Sequence, residues 1–148
     1  MDPIKTKRRE ARWEHFSHGA DIGVRGIGPS RDKAFEQAAL ALTAVVCNPK
    51  RVKPVQRVTV SCSAADQELL LVAWLNAVIA EMSARKMLFS RFSVRSRGLR
   101  LKAVIKGEKA DPRRHAPAVE PKGATLTALD IGRWRQRGLW TVQCVVDV

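Results

Sequence analysis

Two aspartates hold unusual positions in a chain that is poor in acids. Asp21 stands between Ala20 and Ile22, and Asp147 stands between Val146 and Val148 at the last residues of the sequence. A carboxylate among apolar neighbours costs free energy unless it is hydrated, paired or bound to a metal. Two accounts fit these residues. They are strand-end acids that face water or form a salt bridge to Lys122, or they converge. In the second case two aspartates and a terminal carboxylate or carbonyl make a hard-oxygen site suited to Ca2+ or Mg2+.

The other reactive side chains form weaker patterns. His15 and His18 lie three apart and His115 lies alone, with no cysteine pair or second histidine pair to complete a zinc set. Local hydrogen bonding is the expected role of these rings. No Gly-x-Ser-x-Gly elbow or Walker loop occurs, and Gly23-Val24-Arg25-Gly26-Ile27-Gly28 lacks the dinucleotide-binding spacing. Cys47 falls at the end of a helical pattern, the wrong end for thiolate activation, and reads as a buried structural thiol. Trp74 and Trp140 read as core. Trp134, between Arg133 and Arg135, reads as an exposed basic hairpin tip and a contact site.

These groups must be positioned by strands and helices legible from periodicity. Ala20, Ile22 and Val24 alternate with Asp21, Gly23 and Arg25, which predicts a strand broken at Gly26 to Pro29. Ser30 caps a helix whose apolar face carries Phe35, Ala38, Ala39, Leu42, Val45 and Val46, stopped by Asn48-Pro49. A second strand holds Val58, Val60 and Cys62. Asp66 caps a second helix with a broad apolar face from Leu69 to Met82. The period then changes from 3.6 to 2. Strands are predicted at Phe89 to Val94, around Leu99 to Ile105, around Thr125 to Leu129, and from Leu139 to Val148. Gly107 to Gly123 reads as a long loop. The order β-α-β-α-β-β-β-β predicts an α+β two-layer sandwich, a mainly antiparallel sheet with two helices on one face. Residues 1–12 read as a basic flexible arm and 13–148 as a single domain.

Composition narrows the classes. The chain has 148 residues and 45% apolar residues, enough for one real core. No run of about 18 apolar residues is present, which argues against a membrane-spanning helix, and the charged N-terminus does not read as a secretory signal. Three scattered cysteines argue against a disulfide framework, so a reducing cytoplasm is the expected location and no membrane partner is expected. Lys and Arg outnumber Asp and Glu by 27 to 14, a net charge of +13, which favours encounter with polyanions or acidic proteins. Eleven basic residues against two acids fall between Arg85 and Arg114. With few aromatics interleaved, that cluster suits phosphate or acidic-protein contact better than base stacking.

The ordered set of motifs resembles the archease family. His18-Gly19-Ala20-Asp21-Ile22-Gly23 is similar to the family's His-Thr-Ala-Asp-Ile/Val-Gly opening, and Ala34-Phe35-Glu36-Gln37-Ala38-Ala39 and Glu68-Leu69-Leu70 with Trp74-Leu75-Asn76 are similar to its two helices. Gly107-Glu108, His115 and Glu120-Pro121-Lys122-Gly123-Ala124-Thr125 follow its Gly-Glu, His, Lys-x-x-Thr order, and Val145-Val146-Asp147-Val148 is similar to its Asp-Val/Ile ending. The resemblance covers roughly residues 13–148. Gly19 in place of Thr, Leu126 in place of an aromatic, and the strongly basic charge depart from it.

The resemblance implies a non-catalytic activator of the RNA-splicing ligase, the enzyme that joins 3′-phosphate or 2′,3′-cyclic phosphate ends to a 5′-hydroxyl. It would promote guanylylation and turnover in tRNA splicing or RNA repair. It also implies a divalent-metal site, described for the family as Ca2+, with Mg2+ or Mn2+ as alternatives. The ligands would be Asp21, Asp147 and an oxygen of Val148, with Lys122 and His18 beside them. Arg113, Arg114 and His115, with Arg133, Trp134 and Arg135, are candidate contacts to the ligase or directly to RNA. Two other classes compete: a general basic RNA-binding module, and a small metal-dependent phosphoesterase that lacks a complete nucleophile or base set.

Overall fold

The computed structural model describes residues 11–148. The expected basic arm lies outside the described residues up to position 10, and Arg12 opens the first strand. Among the described residues there are eight strands: β1 (Arg12–His18), β2 (Asp21–Gly28), β3 (Gln56–Ser63), β4 (Met87–Arg97), β5 (Arg100–Lys109), β6 (Gly123–Ala124), β7 (Asp130–Trp134) and β8 (Leu139–Asp147). The α-helices are α1 (Arg31–Val46), α2 (Gln67–Arg85) and a single turn, α3 (Pro112–His115). The class is α+β with antiparallel pairing, as the strand and helix order implies. The strands divide into two sheets, one ordered β1-β2-β8-β6 with β7 also paired to β8, the other β3-β5-β4.

Both long helices start where side-chain caps satisfy their free N–H groups. The Ser30 hydroxyl accepts from Lys33 N, and the Asp66 carboxylate accepts from Leu69 N at 2.8 Å. Helix α1 contacts β2 and β8 of one sheet and β4 of the other, so both sheets share one core. Phe35, Leu42, Leu71 and Trp74 are fully buried there. The Trp74 indole donates to the Phe35 carbonyl at 2.9 Å and ties α2 to α1. The buried Thr43 hydroxyl donates to the Phe89 carbonyl at 2.7 Å.

The structure corrects several sequence expectations. β2 is not broken at Gly26 but runs to Gly28. A Cβ on Gly26 would lie 2.0 Å from the Ala34 carbonyl oxygen and 2.4 Å from Ala38 N, so the glycine marks a helix-on-strand crossing and not a turn. β1 lacks the signature of a half-buried strand: on the face it shares with Val24 it carries His15, exposed, with Nε2 2.7 Å from the Ala41 carbonyl, while Phe16 covers Gly23 on the outer face. Alternation of apolar and polar residues is therefore absent from that strand. Thr125 to Leu129 forms no strand; it is the connection between β6 and β7, held by Thr125 N to the Val145 carbonyl and Val145 N to the Thr127 carbonyl. The expected long loop from Gly107 holds the end of β5, α3 and the start of β6.

Candidate metal centre and the groups around it

The β1–β2 hairpin turns at Gly19, whose φ of +58° is unstrained for glycine and costly for a residue with a Cβ. That turn places His18 opposite Asp21. Along β2 and β8 the register brings Ile22 opposite Val146, the last pair of that ladder, and continued by one residue it sets Asp21 toward Asp147 at the sheet end. On the other side of β8, Asp147 is opposite Gly123. His18, Asp21, Asp147 and Gly123 therefore form one row across four strands. Ile22, Val24, Cys144 and Val146 pack toward the core. Alternation turns Asp21 and Asp147 to the outer face, at one end of the sheet.

Main-chain contacts fasten this row. Lys122 N donates to the Asp147 carbonyl at 2.8 Å, which fixes Lys122 beside the row. Val148 N donates to Asp21 Oδ1 at 3.4 Å. Asn76 on α2 accepts from Ala124 N at 2.8 Å and pins the short β6. Asp147, His18 and Lys122 are exposed, while Asp21 and Val148 are half-buried.

The residues fit a cation in a limited way. Side chains directly opposite on antiparallel strands have Cβ atoms about 5 Å apart, and two carboxylates so placed repel unless a cation lies near them. Neither Asp21 nor Asp147 has a salt bridge among the described residues, so the expected pairing with Lys122 does not form. The two carboxylates and the Val148 main chain offer oxygen donors, which suits Ca2+, Mg2+ or Mn2+. No group of three or more His, Cys, Asp or Glu side chains converges among the described residues. The arrangement is an open two-carboxylate edge that needs water or a partner to complete a coordination shell, and not a closed protein cage.

The second polar cluster was missed as a unit by sequence reasoning. Glu108 is buried and receives both Arg114 guanidinium nitrogens at 2.6 Å, Lys53 N at 2.7 Å and His115 Nε2 at 3.0 Å. His115 Nδ1 accepts from Asp111 N at 2.8 Å, so Nε2 carries the hydrogen and donates to Glu108. The Arg114 fork holds the Glu108 carboxyl well below the usual carboxylate range, with the Lys53 and His115 hydrogen bonds adding to it against desolvation. Two expected contact residues are corrected here. His115 is buried at 3% exposure and braces α3 and the end of β5 instead of facing a partner, and Arg114 is tied to Glu108 while its side chain stays 37% exposed. The Gly-Glu…His spacing was the available signal, but nothing in it told a strut from a contact surface.

Arg113 stays exposed on α3. Arg133, Trp134 and Arg135 sit at the β7–β8 hairpin, where Arg133 lies 4.6 Å over the Trp140 ring and Trp134 remains 47% exposed. This hairpin starts at the end of β8 remote from Asp147. Cys47 and Cys144 are buried free thiols, and burial pushes Cys144 up to about 12, so neither is a reactive nucleophile.

Fold and site together define an antiparallel α+β protein with a carboxylate row at one exposed sheet end. The Archease protein family (MTH1598/TM1083) matches residues 13–148. The archease of Pyrococcus abyssi is 36% identical over 141 residues, covering 93% of this chain and 99% of the relative. That of Sulfolobus acidocaldarius is 30% identical over 139 residues, with 93% and 99% covered. The solution structure of Methanobacterium thermoautotrophicum protein 1598 superposes with a TM-score of 0.78 at 26% identity, covering 92% of this chain and 98% of that one. The chain belongs to the archease family.

Proposed function

We propose that this protein is a non-catalytic helper of the RNA ligase that joins 3′-phosphate or 2′,3′-cyclic phosphate ends to a 5′-hydroxyl, promoting its guanylylation and turnover in RNA splicing or repair. Family membership supports the role, and the row formed by Asp21 and Asp147 at an exposed sheet end is the observation that carries it. An open edge of this kind suits insertion into a partner's nucleotide site. A divalent cation bound there would offer phosphate oxygens a positive centre. Asp21 and Asp147 would hold it by their carboxylates and Val148 by its main-chain oxygen. The hydrogen bond from Val148 N to Asp21 Oδ1 limits the freedom of that segment before any partner arrives. Lys122, fixed through its main chain to Asp147, would set an ammonium where phosphate charge develops. His18, opposite Asp21, borders the same edge.

The test is multiple-turnover ligation with the cognate ligase, GTP, Mn2+ and RNA carrying 3′-phosphate and 5′-hydroxyl ends. The wild-type protein is expected to raise turnover. Asp21→Ala, Asp147→Ala and Lys122→Ala are expected to lose most of that gain, and the aspartate variants to lose calorimetric Ca2+ binding as well. Unchanged turnover with both aspartate variants would falsify the reading.

A further inference from the structure

Seven of the twelve aligned residues on the outer face of the three-stranded sheet are cations. Arg57 on β3 is opposite Lys106 on β5, which is opposite Arg91 on β4. Two rows along, Ser61, Lys102 and Arg95 are aligned, and beyond them Ser63, Arg100 and Arg97. Between the first two of these rows lie Thr59, Val104 and Ser93, small side chains that floor a groove of about 690 Å³. The opposite face of the same strands carries Val58, Leu101, Ala103, Ile105, Phe92 and Val94, all buried.

Stability does not explain such a face. Like charges directly opposite on neighbouring strands are destabilising. No acidic side chain lies within these rows, the next acid along β5, Glu108, is held by Arg114 and His115, and none of the seven cations forms a salt bridge among the described residues. The basic run from Arg85 to Arg114 is split by the fold. Arg85 pairs with Glu81 and Arg114 with Glu108, while six members of the run gather on the sheet face and are joined by Arg57 from β3.

We propose that this face binds the phosphodiester backbone of duplex or folded RNA, without reading sequence. Five of the seven cations are arginines, whose planar forks suit phosphate oxygens. Alternate residues along a strand stand about 6.8 Å apart, so the rows repeat cations over a broad flat surface. No aromatic side chain lies on it: Phe89 and Phe92 are buried. A face without stacking rings favours RNA that presents its phosphates outward over a splayed single strand. The inference is separate from the ligase reading and needs no ligase for its test.

The experiment measures binding of a fluorescent RNA hairpin across a KCl titration. The wild type is compared with the triple variant Arg91→Gln, Arg95→Gln, Lys102→Gln and with a charge-matched control at exposed cations off this face, Lys50→Gln, Arg51→Gln, Lys86→Gln. The sheet variant is expected to weaken binding by about tenfold or more and to lower the slope of log K against log salt by about one per lost phosphate contact. Its melting temperature is expected to hold or rise, because like-charge pairs are relieved, which separates lost binding from lost folding. Polyuridylate is expected to bind less tightly than the hairpin. An equal loss in the charge-matched control would overturn the proposal, since net charge alone would then account for binding. Displacement of the hairpin by polyglutamate at equal charge would overturn it in favour of an acidic protein partner.

Discussion

Among the described residues, Glu108 is the acid whose surroundings move it most clearly from ordinary behaviour. Its carboxylate meets a two-pronged guanidinium, a backbone N–H and an imidazole N–H, and little water. Glu108→Gln keeps the shape but removes the charge that Arg114 needs, and is expected to destabilise the protein by about 2 kcal/mol near neutral pH. The sign of its pH dependence follows from the lowered folded-state value. Glu108 contributes fully above its ordinary value of 4.5, and that contribution is lost as pH falls from there toward the depressed folded value. Urea unfolding of wild type and Glu108→Gln at pH 7, 4 and 3 is expected to show the gap between them closing only below about pH 4.5. By contrast, Asp21 and Asp147 form no salt bridge among the described residues, and Asp21 Oδ1 accepts from Val148 N at 3.4 Å. In the role proposed for them, their substitution is expected to show in ligase turnover and in Ca2+ binding.

At the scale of elements, the crossing of α1 on β2 is the contact with least room. The atoms that a Gly26 Cβ would meet are the backbone of Ala34 and Ala38, and backbone cannot rotate away as a side chain can. Gly26→Ala is therefore expected to cost about 3 kcal/mol or more, measured by denaturant midpoint. Gly19→Ala meets nothing within 4 Å and is expected to cost only about 1 kcal/mol, through its positive φ. The contrast separates two uses of glycine within one hairpin, one at its turn and one far along its second strand. It also bears on the site, because β2 carries Asp21 at one end and the crossing near the other, so that α1 sets the height of the strand that presents the carboxylate.

At the scale of the whole molecule, the two sheets are not independent. Phe35 and Leu42 on α1, Trp74 on α2 and Val142 on β8 belong to the same buried cluster as Phe89 and Ile105 of the second sheet. One core shared by both sheets implies one cooperative transition. Phe35→Ala is expected to cost about 4 kcal/mol and to lower amide-exchange protection in β2 and β5 together. Loss of protection in one sheet alone would show two separately folding layers. A single rigid body also explains how two outer faces of opposite character coexist. One ends in paired carboxylates, the other is a field of arginine and lysine, and the shared core holds them apart.

Much of this was written in local pattern. The two long helices, their caps at Ser30 and Asp66, and the inward faces of β3, β5 and β8 follow from periodicity and hydrogen-bonding chemistry that act within a few residues. Asp21 and Asp147 stood out because an acid among apolar neighbours is costly wherever the chain goes. What lay beyond local pattern depended on partners distant in sequence. β1 hid because on the face it shares with Val24 it carries His15, whose ring is satisfied by a carbonyl 26 residues away. Gly26 looked like a turn because only the helix above it requires a missing Cβ. His115 and Arg114 looked like contacts until Glu108 claimed them. Sequence alone determined which residues prefer helix or strand, and which side chains are chemically costly. Tertiary structure decided which residues face one another across β2 and β8, which basic residues share a face and which brace a buried acid, because strand register and helix crossing are set by the burial of one common core.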